Sequence, residues 1–92
     1  KHAIHLAAQV GSVGALNHLT EGMSPDETLK YFKQQDDDHQ TILALAHQTN
    51  NTDFVRAMFA KLPHEHKAAL IEHTTSQGFV PEGIGAWLRG LL

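Results

Sequence analysis

An all-α fold with short hairpin-like loops is what this 92-residue chain predicts, and three observations predict it. Leu and Ala dominate the apolar residues while Val and Ile are few, a balance that favours helix over strand. Apolar residues recur at helical spacing between clear start and stop signals. One helix–turn–helix scheme is also laid down twice, at an offset of 39 residues.

The elements follow in order. Residues 3–9 form a short helix that ends near Gly11, and residues 13–20 form a second with Val13, Leu16 and Leu19 along one face. Ser24-Pro25-Asp26-Glu27 is a capping box: a Ser cap, Pro at the first helical position and Glu three residues after the cap. The third helix then runs to about Gln35 and buries Leu29 and Phe32. A second set covers residues 42–48, 52–61 and 63–73. Asn50-Asn51 separates the first two of these, and Asn tolerates the left-handed backbone of a tight turn. In the helix from Thr52, Phe54, Val55, Met58, Phe59 and Leu62 are spaced to face a core. Finally, Pro81 opens a helix whose stripe is Ile84, Trp87, Leu88 and Leu91. Gly83, Gly85 and Gly90 weaken that helix on its own, so it needs a neighbour.

The internal repeat is read by superposition. Laying residues 2–9 on residues 41–48 puts Ile4 on Leu43, Leu6 on Leu45, Ala7 on Ala46 and Gln9 on Gln48. Further on, Leu16 meets Val55 and Leu19 meets Met58, while Pro25 and Pro63 fall one residue out of step. This divides the chain into unit one (residues 1–39), unit two (residues 40–77) and a partial or capping unit (residues 78–92). Since the chain starts at Lys1 in mid-pattern, it is read as a piece of a longer protein.

Composition removes several function classes. Seven basic against ten acidic residues give a net charge of −3, without the basic stripe that a nucleic-acid binder shows. With no cysteine there is no disulfide, no thiolate metal site and no nucleophilic thiol. No apolar run approaches the roughly 18 residues that a membrane span needs. No G-x-S-x-G, glycine-rich phosphate loop or H-E-x-x-H is present, so neither an enzyme activity nor a cofactor is expected.

The repeated segments resemble ankyrin repeats, whose formula runs D-x-x-G-x-T-P-L-H-L-A-A-x-x-G-x-x-x-x-V-x-x-L-L. His2-Ala3-Ile4-His5-Leu6-Ala7-Ala8 matches T-P-L-H-L-A-A in five of seven places, counting Ile for Leu, and Gly11 falls on the formula's glycine. Asp36 to Ala46 follows the formula from its Asp and keeps Thr41, while Gly78-Phe79-Val80-Pro81 resembles G-x-T-P. Ankyrin repeats span about 33 residues, and the excess here sits in the proline-led third helix of each unit. Similar lengthened repeats occur in ankyrin-like regions of secreted bacterial effectors. Such an origin would place the chain in a cytoplasm, that of a host cell included. The resemblance implies a helical repeat solenoid of two extended repeats plus a terminal helix. It also gives reasons for the first helix. Ala7 and Ala8 let neighbouring helices approach, Gly11 supplies a positive φ, and His5 ties the turn together.

The resemblance further implies protein binding through the concave face, at the hairpin tips and the ends of the first helices. Those positions are Lys1, Gln9 and Val10, then Asp37, Asp38, Gln40, Gln48 and Thr49, then Ser76, Gln77 and Phe79. They form a polar, mildly acidic surface suited to a basic or mixed patch on another protein. The alternative is a scaffold segment packed against a catalytic domain of a larger protein. Eight histidines raise a metal site, but His64 and His66 point to different faces of a helix, and His2 with His5 lacks further ligands, so none is expected. Asp36-Asp37-Asp38 lacks the spaced carboxylates of a calcium loop and reads as a loop whose last two side chains are free for contact. Trp87 is assigned to the core.

Overall fold

The computed structural model describes residues 3–35, 40–76 and 83–92. Seven α-helices account for the secondary structure of these residues: α1 (Ala3–Val10), α2 (Val13–Leu19), α3 (Pro25–Phe32), α4 (Ile42–Gln48), α5 (Thr52–Ala60), α6 (His64–Thr75) and α7 (Ile84–Gly90). The class is all-α, and no strand is present among the described residues beyond an isolated antiparallel bridge between Gln35 and Thr41.

Helices with the same rank in the two sequence units lie side by side. α1 packs on α4 and α4 on α7, α2 packs on α5, and α3 packs on α6. Within the units α1 meets α2 and α4 meets α5, and at the far end α6 meets α7. One apolar cluster runs through every helix, from Ile4 and Leu16 through Phe32, Leu43, Phe54 and Leu70 to Ile84 and Leu88. No single helix is long enough to be stable alone, so this shared burial holds them.

Local chemistry sets the boundaries. Ser12 caps α2 by accepting from the Ala15 amide, and Thr41 caps α4 by accepting from the Ala44 amide. The capping box at α3 is complete, with Ser24 and Glu27 each accepting from the other's backbone N–H. α1 and α4 end alike: the Ser12 amide donates to the Ala7 carbonyl and the Asn51 amide to the Ala46 carbonyl, over a left-handed residue. That residue is Gly11 (φ 72°) in the first unit and Asn50 (φ 55°) in the second, 39 positions on. Asn50 is the only non-glycine residue with positive φ among the described residues. The turn that the sequence assigns to Asn50-Asn51 is thus made as expected.

Two burial expectations shift in detail, those for Leu29 and Trp87. In α3, Phe32 is buried but Leu29 is only half-buried, and Thr28 takes the buried place, its hydroxyl donating to the Ser24 carbonyl (2.8 Å). The expected stripe of the α5 region is buried throughout: Phe54, Val55, Met58 and Phe59 in the helix and Leu62 just past it. Trp87 is half-buried rather than enclosed, because it lies over α4 at the margin of the core. α7 begins at Ile84 behind a left-handed Gly83 (φ 81°); Pro81, the expected start, lies outside the described residues.

Candidate functional site

The candidate site is built where α1 and α4 end, next to one another. A helix leaves its last carbonyls without partners inside the helix. For α1 these are answered from the neighbouring unit: the Asn51 amide donates to the Ala8 carbonyl (2.7 Å) and the Gln9 carbonyl (3.2 Å), and is also 2.7 Å from the Thr49 hydroxyl. The Thr49 hydroxyl donates back to the Leu45 carbonyl (3.0 Å). One side chain therefore ties both helix ends and fixes the turns against each other. Gly11 has to be a glycine twice over. Its φ is positive, and a Cβ there would meet the Asn51 Oδ1 at 2.8 Å.

Around this clasp the surface is open. Val10 is 76% exposed, Gln48 and Thr49 are exposed, and Gln9 is half-buried. Gln40 is half-buried just before the Thr41 cap. Gln9, Val10, Gln48 and Thr49 fall at the adjacent C-terminal ends of α1 and α4, whereas Gln40 lies at the other end of α4 and is not brought to them. Ser76 is exposed but stands apart as the cap of α6, its hydroxyl donating to the His73 carbonyl (2.9 Å). Lys1, Asp37, Asp38, Gln77 and Phe79 lie outside the described residues.

Asn51 was not among the expected site residues. At the 39-residue offset it stands on Ser12, the cap of α2. In fact its side chain makes no capping bond to α5. An amide carries two donor hydrogens where a hydroxyl carries one, and the orphan carbonyls of α1 are within reach. The extra donor was the signal available in the sequence.

The histidines are dispersed. His5 is fully buried in α1. The His66 Nε2–H donates to the Asp26 carboxylate (2.7 Å) and the His73 Nε2–H to the Lys33 carbonyl (3.3 Å), both tying α6 to α3. Among the described residues no three His, Asp or Glu side chains are grouped to hold a metal ion. No helix among them is long and apolar enough to cross a membrane. Burial raises the Tyr31 hydroxyl above its ordinary pKa of 10.0. Compared with family models, curated proteins and solved structures, the chain matches none.

Proposed function

We propose that the chain is an ankyrin-like helical repeat solenoid that serves as a protein-binding module, without catalytic activity of its own. The observation that carries this reading is the row of first-helix ends. Val10, Gln48 and Thr49 stand exposed there on turns that Asn51 holds rigid. A scaffold that holds exposed side chains in fixed positions lowers the ordering cost of binding, which is the physical requirement of a recognition surface. The side-by-side pairing of α1 with α4, α2 with α5 and α3 with α6 supports the repeat reading. The partner surface is basic or mixed, set by the chain's net charge of −3 and by the acidic Asp37 and Asp38, which stand shortly before unit two in the sequence.

The test uses site-specific photo-crosslinking. A crosslinker at Val10 or Gln48 should trap a defined protein that one at exposed Glu65 on α6 does not. With that protein in hand, Val10→Glu combined with Gln48→Ala and Thr49→Ala should weaken binding at least about tenfold, the loss expected from a small buried cluster. A second combination, Asp37→Ala with Asp38→Ala and Gln48→Ala, tests the acidic loop. If neither combination changes affinity, the reading is wrong.

A further inference from the structure

α4 has α1 and α7 as neighbours, and the two are attached to it by different means. α1 is pinned by the Asn51 amide, whose bonds to the Ala8 and Gln9 carbonyls cross from one unit to the other. The α3–α6 pair is bolted in the same way, by His66 on Asp26 and His73 on the Lys33 carbonyl. Among the described residues no hydrogen bond or ion pair joins α7 to another helix.

The residues of α7 give it little support of their own. Its seven positions include Gly85 and Gly90, both poor helix formers, and no side chain caps its start. A helix this short exists only through what it packs on. That packing is apolar: Ile84 and Leu88 are buried and Trp87 and Leu91 half-buried, against α4 and α6. The Trp87 and His47 rings meet in a T-shaped pair, with centroids 4.8 Å apart and planes at 79°. The helices beneath do not depend on α7 in turn, because α4 also packs on α1 and α5, and α6 also packs on α3.

We infer that α7 is a detachable strap: it lifts from α4 and α6 as one segment while α1 to α6 stay folded. Folded chains open in cooperative pieces, and the piece with the fewest ties and the weakest local structure opens first. Lifting α7 takes the Trp87 ring off His47, the residue just before exposed Gln48 and Thr49. The surface beside those two side chains thus has a covered state and an open one. The inference rests on the residues and contacts of α7 and not on the partner-binding reading. Photo-crosslinking and local opening are measured separately, so each fails on its own evidence.

Native-state hydrogen exchange of the full chain, followed amide by amide, tests it, because exchange reads transient openings. The Trp87 and Leu88 amides of α7 should show protection factors at least about tenfold below those of Met58 and Phe59 in α5. Two variants separate local from global opening. Gly90→Ala adds a Cβ that meets nothing within 4 Å, so it strengthens α7 without touching the core. It should raise the protection of α7 about two- to fivefold. Asn51→Ala releases the clasp in both the closed and the open form. It should lower the protection of α5 about fivefold to tenfold and leave that of α7 unchanged. Equal protection of α7 and α5 in the wild-type chain overturns the inference. So does an Asn51→Ala variant in which α7 loses protection by the same factor as α5, because α7 would then open only with the whole fold. A Gly90→Ala variant with unchanged α7 protection overturns it as well.

Discussion

Gly11→Ala is the substitution on which the geometry bears most directly. Two separate costs meet at that position. An L-residue at φ 72° costs about 1 kcal/mol or slightly more relative to glycine. The new Cβ would also come 2.8 Å from the Asn51 Oδ1 and 2.9 Å from its Cγ, so the Asn51 side chain has to leave. That releases its bonds to the Ala8 and Gln9 carbonyls, worth together about 1–1.5 kcal/mol at a half-buried site. The sum is about 2–3 kcal/mol. A domain of this size has about 5–10 kcal/mol in total. With a urea slope of about 1–1.5 kcal/mol/M, the unfolding midpoint should fall by roughly 2 M. The double-mutant cycle separates the two costs. Asn51→Ala alone should lose about 1–1.5 kcal/mol, the clasp only. The double variant should cost no more than Gly11→Ala by itself, because the clasp is lost once. The coupling is therefore about 1–1.5 kcal/mol. Strict additivity, or a Gly11→Ala cost below about 0.5 kcal/mol, would refute the reasoning.

Other outcomes are equally specific. Thr41→Val removes the acceptor for the Ala44 amide at a buried cap and should cost about 1–2 kcal/mol in urea unfolding, whereas Thr41→Ser should recover most of it. At Asn50, Val should cost more than about 1 kcal/mol because a β-branched residue resists φ 55°, while Gly should be near neutral; equal effects would mean that the turn is not left-handed in solution. Phe54→Ala empties a fully buried site and should cost about 3–5 kcal/mol, a large share of the total, read as a lowered urea midpoint by circular dichroism. Tyr31 gives the pH prediction. Burial raises its folded pKa above the unfolded 10.0, so its contribution is whole below pH 10 and is lost as pH rises through the folded value. Relative to wild type, Tyr31→Phe should lessen the fall in stability above pH 10 and leave the profile near pH 7 unchanged.

Much of this architecture was legible one residue at a time. α4 runs from Ile42 to Gln48 as expected, since Thr41 announces its start and Asn50 its end within one turn of the apolar run. The complete capping box at Ser24 and Glu27 was likewise written locally. The α5 stripe needed only the helical period. Leu29 was misplaced for a different reason. Which side of α3 is buried depends on where α6 lies, and that is not encoded in α3. Trp87 shows the same limit. Its size argues for the core, but its position on α7 puts it over His47 at the margin.

The sequence by itself determined the helical class, the order and approximate ends of the helices, and the left-handed turns after α1 and α4, because caps, period and backbone strain act within a few residues. The tertiary structure alone decided what lies beside what. It brought Asn51 to the end of α1, His66 to Asp26, and α1 onto the buried face of α4 while leaving Leu6 open. Those contacts join residues about 40 positions apart. They depend on how whole helices stack, a choice made by the burial of a shared core and by no single stretch of chain.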